Sequence, residues 1–128
     1  MDAIVLAGGF GTRLATTLPN VPKALAPIQG VPFIEILLHW LERSGIVSRV
    51  VFALGHLSQV MSDYLSSRPS HIAIEFSIEA TPLGTGGALL QALQKTNSTQ
   101  ILAMNGDSFF DLPLKAIREF HLAHGASA

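Results

Sequence analysis

The amino-acid sequence predicts an α/β fold, an open and mostly parallel sheet with helices on both faces. Three observations predict it. Strand-like and helix-like segments alternate along the whole chain. The stretches between successive strands are long enough for crossovers that return the chain parallel to itself. The first strand candidate, AIVLA at 3–7, is apolar continuously rather than alternately, as a strand buried on both faces must be.

The elements follow in order. After the strand at 3–7, Pro32 suits the first residue of a helix that runs from Phe33 through FIEILLHWLERS and is closed by Gly45. Residues 49–54 (RVVFAL) form the second strand, and a helix near Leu57–Ser66 follows, with Leu57, Val60, Met61, Tyr64 and Leu65 as its apolar positions. Residues 71–78 (HIAIEFSI) are the third strand; the loop ATPLGTGG then leads into a helix through ALLQALQK. Residues 100–104 (QILAM) are the fourth strand, ending in Asn105-Gly106-Asp107. A last helix follows Pro113, with Leu114, Ile117 and His121 on one stripe. No internal repeat, low-complexity tract or interior linker interrupts this order.

Composition narrows the function. The 128 residues suit one domain, and a net charge of −1 gives no electrostatic case for nucleic acid or an anionic membrane. Charged residues make up 13% of the chain, against about 25% in an average soluble domain. Much of the chain is therefore expected to be covered, by its own helices or by further material. Cysteine is absent, which excludes disulfides and thiolate metal sites. Asp2 stands where a signal peptide would be positive, and no apolar run approaches the roughly 18 residues of a membrane span. A soluble chain is expected, with the cytoplasm as its compartment.

In open α/β sheets, ligands bind beyond the carboxyl ends of the strands. The chemically suggestive stretches all fall there: GGFGTR after the first strand, ATPLGTGG after the third and NGD after the fourth. In GGFGTR, the missing Cβ atoms of Gly8, Gly9 and Gly11 let backbone amides approach a phosphate chain, and Arg13 offers a fork of donors. A glycine-rich turn with a surface arginine would look the same. The stretch fits neither GxxxxGK[ST] nor GxGxxG, because Leu14 stands where the latter needs its third glycine. In VPKALAPI, Pro22 and Pro27 are expected to hold the backbone extended around Lys23, which is either a phosphate partner or a solvated lysine.

LAGGFGTRL followed by VPKALAPIQGVPFIE resembles the signature of the sugar-1-phosphate nucleotidyltransferases, LAGGxGTRL…PKxLxPIxGxP, and LGTGGA and NGD come later in the same order. The chain departs from the common PLT at Thr16-Thr17-Leu18-Pro19-Asn20. NVPKALAPIQGVPF and EATPLGTGGA most resemble the D-glycero-D-manno-heptose 1-phosphate guanylyltransferase branch, with mannose-1-phosphate guanylyltransferases close behind. The resemblance implies a Rossmann-like nucleotidyltransferase fold. It also implies transfer of a nucleoside monophosphate, GMP from GTP, to a sugar 1-phosphate, giving an NDP-sugar and pyrophosphate. Other NDP-sugar pyrophosphorylases, or a noncatalytic nucleotide-binding module, are the alternatives.

The same resemblance implies residue roles. Leu6, Ala7, Gly8, Gly9, Gly11 and Thr12 would cradle the nucleotide, and Arg13 would hold the phosphates that leave. Lys23 would lie near the α-phosphate and the sugar phosphate; Gly84, Thr85, Gly86 and Asn105 would complete the nucleotide pocket. Asp107 would bind Mg²⁺, the expected cofactor. Glu79 stands where uridylyl- and thymidylyl-transferring relatives often carry glutamine. A carboxylate accepts from guanine N1–H and N2–H₂ together, so Glu79 is read as favouring guanine.

Other residues have plainer readings. Asp111, before Leu112-Pro113, is expected to cap the last helix. His121 and His124 lack a third ligand and read as helix-face histidines. His39 and Trp40 read as packing residues, and His56 lies on the site side of the sheet. The family's catalytic domain continues beyond this length, so 1–128 is expected to be its N-terminal nucleotide-binding part, truncated before the sugar-binding half and a second metal-binding aspartate. Self-association, or a partner chain carrying the C-terminal half, is expected in consequence.

Overall fold

The computed structural model describes residues 1–9 and 20–125. Its main sheet has four parallel strands: β1 (Asp2–Leu6), β4 (Arg49–Leu54), β5 (Ala73–Ile78) and β6 (Ile101–Asn105), in the order β5-β4-β1-β6. Two short strands, β2 (Pro27–Ile28) and β3 (Val31–Pro32), form a separate antiparallel hairpin. The helices are α1 (Phe33–Ser44), α2 (Ser58–Ser67), α3 (Gly84–Leu93) and α4 (Leu114–Ala123). Among the described residues, no helix is long and apolar enough to cross a membrane.

The continuous apolar runs do what both-face burial requires. In β1, Ala3 and Val5 join one core with Val50, Phe52 and Leu54 of β4, under Ile34, Leu37, Leu38 and Leu41 of α1 and Met61 and Leu65 of α2. The alternate residues, Ile4, Val51 and Ala53, meet Ala88 and Ala92 of α3 on the opposite face. Each deeply buried Leu, Ile or Phe side chain contributes about 1.5–3 kcal/mol through removal from water, so β1 and β4 are the most firmly held part of the fold.

Polar ties fix the helices and the far edge. Arg68, just after α2, donates to both carboxylate oxygens of Glu42 on α1 at 2.8 and 3.1 Å, and through Nε to Glu35 at 2.7 Å. Tyr64 and Ser70 donate to the same two carboxylates. The Arg68 hydrogen bonds hold the Glu42 carboxyl below its ordinary range, outweighing the burial that opposes ionisation. At the amino ends of the strands, buried Asp2 accepts from the backbone N–H groups of Asn97 and Ser98, and Arg49 pairs with Glu75.

The structure corrects several expectations. β4 matches its predicted limits and β5 its predicted end, whereas β1 and β6 are shifted by one residue and β5 begins two residues later than predicted. Pro32 precedes α1 rather than opening it, and Leu57 precedes α2. Lys23 is not in an extended segment: Pro22 and Ala26 are extended, but Lys23–Leu25 between them is one turn of 3₁₀ helix. Glycines 84, 86 and 87 are not loop residues but form the start of α3. Only Leu114 of α4 is buried, so the stripe through Ile117 and His121 is exposed. His39 is exposed, whereas Trp40 packs against the core.

Candidate functional site

Register places four chain ends at one level. Leu6 pairs with Ala53 on one side and Asn105 on the other, and Leu54 pairs with Ile78. The ladder then continues just past the strands: Ala7 N–H donates to Ala53 O, Glu79 N–H to Leu54 O and Gly106 N–H to Leu6 O, at 2.8–2.9 Å. The segments leaving β1, β5 and β6 are thus tied together before they diverge, and the gap they leave is a cleft of about 450 Å³.

Most of the sequence-predicted site residues line it. Leu6 ends β1 and Ala7, Gly8 and Gly9 follow it; Asn105 ends β6 and Asp107 lies in the turn after it; Lys23 comes from the 3₁₀ turn, Glu79 directly follows β5, and Gly84 and Thr85 open α3. Gly86, also in the first turn of α3, does not line the cleft. Gly11, Thr12 and Arg13 lie outside the described residues. Ala24, Ala53, Pro82, Ala88 and Gly106, none of them a predicted site residue, also contribute to the wall. Pro82 and Gly106 sit inside the quoted ATPLGTGG and NGD stretches, so a signal was present for them.

Gly106 is there because β1 passes close by. A Cβ at this position would lie 3.0 Å from Ala7 Cβ, 3.1 Å from Val5 Cγ1 and 3.2 Å from Leu6 O. The bare glycine lets the chain turn across the end of β1 and delivers Asp107 to the cleft. The loop after Asp107 is anchored from α1, where Trp40 Nε1 donates to Leu112 O at 3.2 Å and its ring meets Phe109 edge-on at 5.6 Å.

Two charges face each other across the mouth. Lys23 Nζ donates to Asp107 Oδ2 at 2.6 Å. That hydrogen bond, against partial burial, holds the Asp107 carboxyl below its ordinary range, with help from the Lys23 charge and the Ser108 hydroxyl. Glu79 is held differently: its Oε2 accepts from Leu83 N–H at 2.9 Å.

The donor set fits magnesium as an ion shared with a ligand. Mg²⁺ takes oxygen donors and is commonly bound by one or two carboxylates together with phosphates and water. Asp107 provides an ionised carboxylate at the cleft. Among the described residues, no group of three or more His, Cys, Asp or Glu could hold a metal by itself. His121 and His124 are exposed on or just after α4, with His124 Nδ1 2.8 Å from Phe120 O, which agrees with their reading as helix-face residues. Asp111 does not cap α4; Pro113 takes the cap position and no side chain bonds there. His56 follows β4 at this end of the sheet but is not part of the cleft wall.

The family model described as nucleotidyl transferase matches residues 2–128. The chain is 36% identical over 126 residues to D-glycero-alpha-D-manno-heptose 1-phosphate guanylyltransferase of Aneurinibacillus thermoaerophilus, covering 98% of the chain and 54% of that protein. It is 39% identical over 118 residues to the protein of the same name from Campylobacter jejuni, covering 92% of the chain and 52% of the relative. Among solved structures, HddC from Yersinia pseudotuberculosis complexed with GMP-PN superposes with a TM-score of 0.82 at 34% identity, over 94% of this chain and 54% of that one. The chain spans about half the length of the curated relatives it matches.

Proposed function

The chain belongs to the nucleotidyl transferase family, and from that premise we propose that it forms the nucleotide-binding part of a sugar-1-phosphate guanylyltransferase. The reaction would join GTP and D-glycero-D-manno-heptose 1-phosphate into a GDP-sugar with release of pyrophosphate. One observation carries the reading. Residues from four separate stretches, Leu6–Gly9, Lys23, Glu79–Thr85 and Asn105–Asp107, meet at one cleft beyond the carboxyl ends of parallel strands.

The chemistry suits this inventory. A sugar phosphate oxygen attacks the α-phosphorus of the nucleotide, a new P–O bond forms, and the bond to the β-phosphate oxygen breaks with its electron pair. The nucleophile is already ionised at neutral pH, so no protein base or covalent intermediate is needed. What the protein must supply is alignment and neutralisation of several crowded phosphates. The bare backbone at Gly8 and Gly9 gives amides close access to the nucleotide. Gly84 and Thr85 lie in the first turn of α3, where backbone N–H groups have no partner within the helix and face anions favourably.

Lys23 is half exposed on a flexible stem, so its ammonium can turn from Asp107 to a phosphate oxygen. Arg13, by its place in the motif, holds the departing pyrophosphate. Asp107 would hold Mg²⁺ jointly with the nucleotide, and that ion, when bound, supplies further charge neutralisation on the phosphates. Glu79 reads the base, offering two acceptor oxygens toward adjacent guanine donors. The cytoplasm, where nucleoside triphosphates are made, is the compartment this reading requires.

The test is product formation. The protein that carries this sequence is incubated with Mg²⁺, each of the four nucleoside triphosphates, and heptose 1-phosphate or mannose 1-phosphate. Mass spectrometry should find GDP-heptose as the dominant product. A dominant uridylyl or thymidylyl product would overturn the guanine assignment, and GDP-mannose alone would overturn the sugar.

A further inference from the structure

The bare Cα of Gly8 faces a carboxylate. A Cβ built on Gly8 would lie 2.9 Å from Glu79 Oε1 and 3.1 Å from Gly55 N, and one built on Gly55 would lie 2.8 Å from Gly8 O. The segments after β1 and β4 are thus stacked too closely for a side chain at Gly55, whereas at Gly8 the closest obstacle is the far end of Glu79, just after β5. The second oxygen of Glu79 is fixed from the other side by Leu83 N–H at 2.9 Å. The carboxylate is thus held at one oxygen by a donated hydrogen bond, while its other oxygen occupies the space that a side chain at Gly8 would need.

We propose that Gly8 is a positioning residue for Glu79, so that the nucleotide preference of the cleft is set by Gly8, Glu79 and the Leu83 amide as a unit. This rests on the reading of Glu79 as the base-recognising group. A methyl group at position 8 would not be absorbed by β1 or β4, whose core is closed. It would be absorbed by the far end of the Glu79 side chain, the most compliant of its close neighbours. The displaced carboxylate would then break from Leu83 and turn away from the base. The glycine therefore acts on the base through Glu79, in addition to admitting phosphates by its lack of a side chain.

The experiment is a double-mutant cycle on the protein that carries this sequence, with Gly8→Ala, Glu79→Ala and the pair. Two quantities are read for each: urea-unfolding stability, and the affinities of GTP and UTP measured by competition. Gly8→Ala is expected to lower the GTP-to-UTP preference by about tenfold, the effect of one misplaced charge-assisted hydrogen bond. In the Glu79→Ala background it should leave that ratio unchanged, and the stability effects should be non-additive.

Equal weakening of GTP and UTP by Gly8→Ala in both backgrounds, with additive stabilities, would overturn the proposal and leave Gly8 a phosphate-loop glycine only. If the unmodified protein shows no guanine preference, the base reading fails, and the coupling stands or falls on the stability cycle alone. If Gly8→Ala does not fold, Leu83→Pro removes the N–H that holds Glu79, at the N-cap of α3, where no hydrogen bond within the helix is lost. It should reproduce the loss of preference, and an unchanged ratio there would equally overturn the proposal.

Discussion

Lys23 and Asp107 are 84 positions apart in the chain, and their side chains meet at 2.6 Å across the mouth of the cleft. One comes from a 3₁₀ turn between two prolines, the other from the turn that leaves β6. Both remain substantially exposed, at 51% and 39% of their side-chain surfaces. An exposed pair of this kind adds only about 0–1 kcal/mol to stability. Its placement in the cleft is better explained by what the two charges do when phosphates arrive.

Asp107→Asn should separate the two roles. Stability by urea unfolding is expected to change by no more than about 1 kcal/mol, as for an exposed pair. Sugar-phosphate-dependent pyrophosphate release should fall by at least ~10²-fold, the scale seen when one preorganised electrostatic group is lost. A fall in stability without a fall in rate would make the pair a structural clasp.

Gly106→Ala tests the close approach that delivers Asp107. Its methyl would press on Ala7, Val5 and the Leu6 carbonyl, none of which is a free side-chain end. A cost of about 1–3 kcal/mol is expected from overpacking. It should appear as a lower urea midpoint with an unchanged slope.

Trp40 holds the segment behind Asp107 by a hydrogen bond to Leu112 O and an edge-on contact with Phe109. Trp40→Phe keeps an aromatic ring and removes the donor, so about 1 kcal/mol should be lost, followed by circular dichroism. Trp40 is also the single tryptophan in the chain. In the unmodified protein its fluorescence should change when GTP and Mg²⁺ are added together.

Part of the acid sensitivity should come from the α1–α2 clasp. Arg68 hydrogen bonds depress the Glu42 carboxyl below its ordinary value of 4.5. A depressed carboxyl binds its proton more readily when unfolded, so its contribution is present above that value and is lost as pH falls through the depressed one. Stability should be level across neutral pH and decline below about pH 4.5, the ordinary range of a glutamate. Glu42→Gln should cost about 1–3 kcal/mol at pH 7, the worth of a charge-assisted hydrogen bond, and should make the acid decline shallower, the lowered Asp2 and Asp107 carboxyls accounting for the rest.

Much of this architecture is legible in the residues. The runs AIVLA and RVVFAL carry no polar break, and a strand with two buried faces is their natural state. Glycine and proline at the strand ends marked where the backbone turns, which is where the cleft formed. The turn at Lys23 was not legible, because flanking prolines restrict their own neighbours but leave three residues free to coil into a 3₁₀ turn. The start of α3 is not legible because glycines are poor helix formers in isolation. Here packing of Ala88 and Ala92 against the sheet draws the helix back through Gly84. Exposure of His39 and the absent cap at Asp111 depend on tertiary placement, which local pattern does not contain.

One cleft, built from four separated stretches, is proposed as the nucleotide site. Amide chemical-shift mapping tests it most directly, by titrating GTP with Mg²⁺ into the ¹⁵N-labelled protein that carries this sequence. Saturable shifts are expected to cluster at Ala7, Gly8, Gly9, Gly84, Thr85, Gly106 and Asp107, with the α1–α2 clasp around Glu42 and Arg68 unmoved. Saturable shifts centred away from the ends of β1, β5 and β6, with these amides unchanged, would contradict it.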